Sequence, residues 1–526
     1  MSVIKAGWIF TFLIPLFVLN TGITESKPRA FSVSSIPDPN RDSVPPGKRL
    51  ALQYCQMCHL FPDPSLLDKK TWINRVLPNM GLRLGINESG KDPYADLLPE
   101  EQPIMRKLNV YPAVPLIAKK DWNQIVKYFE QEAPEEPLPQ KKHDPIQDTL
   151  SLFTTRGISF DDKPLPKTTM LKFNNASDEM YIGDGQYKLY ILDNNFNFKS
   201  AWNTESAPVD IIFRKDAAPI LLTIGSFSPS DQQLGRLLSF DTSFRTPLPE
   251  INIDHLSRPV QFARADLNID GKEDAVICNF GNNAGKLAWY DDFQTSKENI
   301  IKNLPGARKV EVKDFNGDGK PDLMALMSQA WEGISLFYNL GKGKFKEKKL
   351  LQFSPVFGAS YFELADFNKD GYLDILLTNG DNWDYSAVNK NYHGVRIYLN
   401  DGKDNFKEAW FYPLYGTSKA VAADFDNDGD LDIAAIAFYA NLKHPENGFV
   451  YFSNQGNLNF NPSSPIEGAL GKWLTMETGD FDHDGDADIV LGSYFHTVGE
   501  LSKLIDKGTT SFPQLLVLTN STKYIQ

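Results

Sequence analysis

One acidic spelling recurs five times in this 526-residue chain, and it limits the possible folds more than any other feature. The copies are Asp266/Asn268/Asp270/Gly271/Asp274, Asp314/Asn316/Asp318/Gly319/Asp322, Asp366/Asn368/Asp370/Gly371/Asp374, Asp424/Asp426/Asp428/Gly429/Asp432 and Asp480/Asp482/Asp484/Gly485/Asp488. Carboxylates or amides occupy positions 1, 3, 5 and 9 of a nine-residue loop, and glycine occupies position 6. Alternate residues aiming oxygens inward, with glycine permitting a sharp turn, is how a short loop wraps a hard cation. Successive copies start 48, 52, 58 and 56 residues apart. That is a repeat period of propeller-blade size.

An EF-hand loop opens almost identically, but it needs a bidentate Glu at position 12 and flanking helices. Position 12 is here Ile277, Ala325, Leu377, Ala435 and Leu491. Each loop runs into a short apolar stretch closed by turn residues, such as Asp374-Ile-Leu-Leu-Thr378, which predicts a buried strand. The five copies resemble the FG-GAP/VCBS repeats of integrin-like β-propellers, over roughly residues 260–526. The resemblance implies that each loop joins the first two strands of a blade and holds one Ca²⁺, about five in all. Mg²⁺ resists an all-protein cage and is disfavoured. Five near-identical copies point to a repeated structural task, so no catalytic residue is assigned.

The net charge of −13 follows the same pattern: seventeen Asp stand at the loop ligand positions, and the rest of the chain is about four positive. Five Ca²⁺ would bring the total to about −3. No large basic face remains for nucleic acid. At the start, Lys5 precedes an apolar run from Trp8 to Leu19, too short to span a bilayer. It predicts a signal peptide over residues 1–30 and a periplasmic or secreted protein, with an uncleaved anchor as the alternative. No later stretch is long and apolar enough to cross a membrane.

Two of the three cysteines form Cys55-Gln-Met-Cys58-His59. C-x-x-C-H is the attachment signature of c-type haem, with two thioethers and a proximal histidine. Zinc, a thioredoxin-like redox pair and a structural disulfide are the other readings. Zinc lacks the remaining ligands, and the redox pair lacks a βαβ setting. A helix is expected after Pro45-Pro46, leading into the motif. A second, over Asp121–Glu130, should place Trp122, Ile125, Val126 and Phe129 on one face. Here the chain resembles a class I cytochrome c, in which a first helix ending in C-x-x-C-H packs across a final helix. That family supplies a methionine as the sixth ligand shortly before the last helix, but Tyr111–Pro115 contains none. Met80, expected in a loop bracketed by Pro78 and Gly81, is the favoured ligand. Met105, expected on a helix face, another ligand and an open site are the alternatives; Met57 is badly placed.

The fold expected is an all-β seven-bladed β-propeller preceded by a small all-α cytochrome c-like domain. The divisions are 1–30 signal, 31–134 haem domain, 135–149 Pro-rich linker and 150–526 propeller. Blade rhythm without the acidic loop recurs in Thr169–Phe173, Glu179–Ile182 and Lys188–Leu192, then in Val209–Phe213, Pro219–Ile224 and Gly235–Phe240. These two units make the count seven, with six and eight as alternatives. Leu150–Thr155 is placed to pair with the last blade and close the ring, leaving no open edge. Cys278 reads as a buried free thiol. Insertions at Gly380–His393, Tyr439–His444 and Tyr494–Thr497 carry Trp383, Tyr385, His393, His444 and His496, which could gather on one face. The function expected is electron transfer by a monohaem cytochrome whose propeller docks a redox partner protein or a glycan. A dehydrogenase whose propeller face feeds the haem, and a non-redox binding or adhesion module, are the alternatives.

Overall fold

The computed structural model describes residues 44–526, except 216, 242–246, 383–385, 442 and 523–526. The expected signal peptide, Trp383 and Tyr385 lie outside the described residues.

Seven antiparallel sheets of four strands each follow one another around a ring. Blades 1 to 6 occupy residues 168–203, 208–256, 259–302, 307–352, 359–413 and 417–463, each with its strands in chain order. Blade 7 takes three strands from the end of the chain, Trp473–Gly479, Asp488–Ser493 and Leu515–Asn520. Its fourth comes from the beginning: Phe153–Ile158 pairs with Leu515–Asn520, Phe153 opposite Asn520 and Ile158 opposite Leu515. The strand expected to close the ring does so, and the ring has no free sheet edge between its first and last blades.

Blades pack face to face, so central strands are buried on both sides. The second strands of blades 3 to 7 are buried at all six positions, as in Asp374–Asn379 and Asp432–Ala437. Those apolar runs are what the sequence spells after each acidic loop. The innermost strand of every blade skips one partner at its second residue, for example between Ala307 and Lys309. Such a bulge bends and twists the strand. Side chains beyond it staple one blade to the next. Asp210 accepts from the Phe262 amide at 3.0 Å, Gln261 from Val310 at 2.9 Å and Glu363 from Ala422 at 3.2 Å. Burial pushes the Asp210 carboxyl up to about 6, against the pull of Lys172.

Ahead of the ring, short helices fill residues 46–132: α1 (Pro46–Cys55), α2 (Lys69–Thr71), α3 (Leu77–Arg83), α4 (Gln102–Lys107) and α5 (Lys119–Glu132). A π-helical turn, Trp72–Val76, joins α2 to α3. Trp122, Ile125 and Phe129 of α5 are buried and Val126 half-buried, the face expected. α1 crosses α5 at Gly47, where a Cβ would lie 2.3 Å from the Gln124 carbonyl oxygen and 2.6 Å from the Tyr128 Cβ. Residues 45–526 form one compact unit. The Pro-rich stretch between helices and ring is pinned rather than loose: Gln147 bridges to Ser463, and Tyr412 donates its hydroxyl to the Asp144 carbonyl at 2.7 Å. Among the described residues no helix is long and apolar enough to cross a membrane.

Candidate functional site

In all five acidic copies the loop joins the first two strands of a blade. One set of hydrogen bonds shapes each. The position-1 carboxylate accepts from the position-6 glycine amide at 2.8–3.0 Å. Position 3 accepts from the amide of position 5, and position 5 from that of position 7. The glycines have φ between 81° and 94°, and a Cβ on Gly271, Gly319, Gly371 or Gly429 would meet nothing within 4 Å. Conformation, not crowding, therefore requires glycine there.

The position-9 aspartates, Asp274, Asp322, Asp374, Asp432 and Asp488, are at most 2 % exposed. One oxygen accepts from the position-2 amide at 3.0–3.2 Å. The other accepts an amide from just after or at the end of the third strand at 2.7–3.0 Å. These carboxylates thus tie the loop into the blade. Burial raises the pKa of all five, and Asp432 and Asp488 reach about 6.

The loops fall into two kinds. In blades 6 and 7, Asp424, Asp426 and Asp432, and likewise Asp480, Asp482 and Asp488, bring carboxylate oxygens within 4.8 Å of one another. Oδ1 of Asp424 and of Asp480 is buried there with no hydrogen-bond partner. Three converging carboxylates with an orphaned oxygen match the donor set of a hard divalent cation.

Position 5 of these two loops is engaged locally. Asp428 and Asp484, read from the sequence as the fourth carboxylate of each set, stand outside the converging groups. Asp428 Oδ1 accepts from Asp430 at 2.8 Å and Asp484 Oδ1 from Asp486 at 3.1 Å, so each carboxylate is engaged in a local turn. The carboxylates that converge are those at positions 1, 3 and 9.

In blades 3 to 5, position 3 is Asn268, Asn316 or Asn368, and Oδ1 of Asp266, Asp314 and Asp366 accepts backbone amides. Asn268 and Asn368 also donate to Asp270 and Asp370, and Asp318 pairs with Lys320 at 2.7 Å. Expected ligands in these three loops are thus bonded to one another or to neighbours, without three carboxylates converging.

Two features escape the sequence reading. Position 4 is left-handed in every copy, at Ile269, Gly317, Lys369, Asn427 and His483. Asn339, Asn400, Asn454 and Asn520 latch the loops: each donates its side-chain amide to the position-8 carbonyl. Asn339 and Asn520 also reach the Leu267 and Phe425 carbonyls of the preceding blade. An Asn closing the third strand in each of blades 4 to 7 is the signal that would have found them.

The C-x-x-C-H motif closes α1. Cys55, Cys58 and Cys278 are free thiols. Burial pushes Cys55 up to about 12, with the neighbouring Cys58 adding to it, and burial raises Cys58 as well. His59 Nδ1 lies 2.8 Å from the Leu60 carbonyl. A donor at Nδ1 leaves Nε2 as the lone-pair nitrogen. Cys55 and Met80 border the same apolar cluster, centred on Ala51, Trp72, Ile125 and Phe129. Met80 is in α3, not in the loop expected. Pro78 falls in the first turn, where its missing N–H is harmless, and Gly81 serves close packing, 3.1 Å from the Trp122 ring once given a Cβ. Met105 is buried in α4, outside that cluster, and Met57 is half exposed.

The acidic loops and third-to-fourth strand turns share one face of the ring. Second-to-third strand loops and inter-blade connections share the other, and all three insertions lie there. Tyr494, His496, Phe438 and Phe227 cluster on it, with the Phe227 and Tyr494 rings stacked at 4.6 Å. Lys472 stands 4.2 Å above Phe438 and pairs with Glu500 at 2.6 Å. His444 is exposed beside Glu446. His393 does not join them, because it is 1 % exposed and packed beside Gly358, and burial holds its pKa well below the usual value. An unforeseen helix, α6 (Val498–Ile505), follows the last insertion directly.

The family model described as an FG-GAP-like repeat matches residues 266–325, 314–377 and 378–435, about a third of the chain. It takes in four of the five loops, and the chain carries FG-GAP-like repeats. Among solved structures, a chain of the S. cerevisiae complex of Dbp5 with Nup159, Gle1, IP6 and ADP is similar at 12 % identity and TM-score 0.42, covering 72 % of this chain and 98 % of that one. The Neurospora crassa Pan2 WD40 domain is similar at 9 % identity and TM-score 0.41, covering 71 % and 97 %. The blade count rests on the strand pairing above. FG-GAP-like repeats on a seven-bladed propeller suggest a binding or adhesion module.

Proposed function

We propose that the protein is an exported monohaem c-type cytochrome fused to a calcium-stabilised propeller, transferring electrons to or from a redox partner protein that the propeller docks; a glycan is the other occupant of that face. The observation that carries the reading is the end of α1: two free thiols three residues apart, then a histidine whose Nε2 is left to bind a metal, on a helix that crosses α5 at a glycine. Cys55 and Cys58 would hold haem c through thioethers, and His59 would ligate its iron. When bound, the group supplies reversible one-electron chemistry. Met80 would supply the other protein ligand to the iron, because it borders the cluster that Cys55 borders and Met105 does not. The basic-then-apolar start, Lys5 and Trp8 to Leu19, supports export.

Ca²⁺ fits the acidic loops, through oxygens of positions 1, 3 and 9 in each. Position 5, including Asp428 and Asp484, would join through the carboxylate oxygen that its position-7 amide leaves free. Like charges gathered by burial are neutralised there, and two orphaned carboxylate oxygens gain a partner. A second reading draws on the Tyr494, His496, Phe438 and Phe227 cluster: a substrate oxidised at that face would reduce the haem. Expression with haem-attachment machinery tests the first reading. A pyridine haemochrome spectrum of one c-type haem, lost in Cys55→Ser/Cys58→Ser, is expected; a wild-type protein without covalent haem refutes it. Haem reduction on adding a sugar or alcohol anaerobically would favour the second.

A further inference from the structure

We infer that the C-x-x-C-H site is composite: propeller loops form part of its wall and fix it in place, so that the potential of a bound haem is set by the propeller as well as by the helices. The inference rests on the haem reading above. Val356, between blades 4 and 5, and Val388, in the second-to-third strand loop of blade 5, pack against the cluster bordered by Cys55 and Met80. Apolar cover from a second part of the fold keeps water from that side of the site, and a drier site disfavours the more highly charged oxidation state of an iron.

The polar contacts close a circuit. Arg83, the last residue of α3, donates to Asn283 Oδ1 at 2.8 Å. Asn283 donates its amide and its side-chain Nδ2 to Asp231 at 2.6 and 2.8 Å. Asp231 and Ser230 of blade 2 donate back to Glu101, beside α4, at 2.8 and 2.6 Å. The circuit thus leaves the helices at Arg83 and returns at Glu101 by way of two propeller loops. Asp231 is 2 % exposed and also accepts the amides of Asn282 and Ala284, so its charge is satisfied by N–H groups of the neighbouring loop. Glu101 is 8 % exposed. Two buried carboxylates with matched donors are the mark of a fixed interface, because separating it would expose those donors and acceptors unpaired.

Asn283 therefore holds the Arg83 guanidinium in a set position by the motif. Arg83 stands three residues beyond Met80 on α3, the helix that borders the cluster shared with Cys55. A fixed positive charge opposes the additional positive charge of oxidised iron, so Arg83 should raise the potential.

The test is potentiometric titration of the haem-loaded full chain as wild type, Arg83→Gln, Arg83→Lys, Asn283→Ala and Val388→Asp. Lys199→Gln, on the exposed outer strand of blade 1, is the control. All should show one covalent haem by pyridine haemochrome. The midpoint potential should fall in Arg83→Gln, return toward wild type in Arg83→Lys, and fall less in Asn283→Ala. In Val388→Asp it should fall as well, and Lys199→Gln should match wild type. Should Val388→Asp not fold, the Arg83 pair decides. Covalent haem with the wild-type potential in Arg83→Gln and Asn283→Ala overturns the composite site and leaves the haem reading standing. A wild type without covalent haem overturns both.

Discussion

Blades 1 and 2 and blades 3 to 7 are the same object built without and with an acidic loop. All seven have four strands in the same order and the same bulge in the inner strand. Strands one and two are joined by four residues in blade 1 and two in blade 2, against eight, such as 266–273, in the others. The acidic loop is therefore not needed to make a blade. What it adds is a knot of like charges whose ninth residue is buried and bonded to the third strand. On the calcium reading proposed above, a cation there would neutralise those charges and brace the blade.

Removing the metal is the strongest way to break that comparison. Chelation should lower stability by roughly 2–3 kcal/mol for each site that had been filled at about a hundredfold over its Kd. Hydrogen exchange should show protection lost in Asp432–Ala437 and Asp488–Ser493, where three carboxylates converge, and retained in Glu179–Asp184 of blade 1. Equal loss in all blades, or none, would mean that the loops do not brace their blades.

A single residue should reproduce part of this. Asp432→Ala removes a proposed ligand and the acceptor of two buried amides, and should cost about 2–4 kcal/mol in a chemical denaturation curve. Asp178→Ala, in the corresponding turn of blade 1, is expected to change stability by under about 0.5 kcal/mol, since Asp178 is half exposed. Similar costs for the two would erase the distinction.

The opposite face offers a buried carboxylate with no metal loop around it. Glu332 is 4 % exposed and accepts the Gly358 and Ala359 amides, and burial pushes its pKa up to about 8 from 4.5. A carboxyl whose folded pKa lies above its unfolded value holds its proton longer when folded, so stability falls as pH rises from about 4.5 to about 8. Glu332→Gln should flatten that fall, gaining roughly 1–3 kcal/mol at pH 8.5 and little at pH 4.5. Melts at the two pH values measure it. An equal effect at both would mean that the buried charge is not what differs.

How much of this could be read in the chain follows from locality. Four acidic positions and a glycine within nine residues are a local pattern, and so are the apolar strands after them. The five loops, the two plain blades and the closing strand were all legible for that reason. Spacing did not separate Asp428 and Asp484 from the carboxylates that converge, because alternation along the loop says nothing of which oxygen a nearby amide takes. Position 4 was not legible either: Ile269, Gly317, Lys369, Asn427 and His483 share a backbone conformation but no side-chain chemistry. Met80 reads as a loop residue because Pro78 and Gly81 usually break helices, whereas here one sits in the first turn and the other makes room for Trp122. His393 reads as a candidate for the open face because an insertion gives no sign of which side chains fold inward. The Arg83–Asn283 and Glu101–Ser230 contacts join residues 200 and 129 apart, and no pattern along the chain announces them.

The smallest effect follows from position 4. Ile269 is a β-branched residue at φ 64°, a conformation that costs such a side chain about 1–2 kcal/mol. Ile269→Gly should offset that strain and raise the midpoint of metal-free unfolding, a gain that the same change at Ile211, in a regular inner strand, would reverse. A loss at both would show that the loop does not hold Ile269 left-handed in solution.

Mass spectrometry of the exported protein, first native and then denatured, addresses haem and calcium together. The account predicts one haem that survives denaturation, attached between Cys55 and Cys58, and about five calcium ions that denaturation or a chelator removes. A denatured mass equal to that of the bare polypeptide, or a native mass unchanged by chelation, would contradict it.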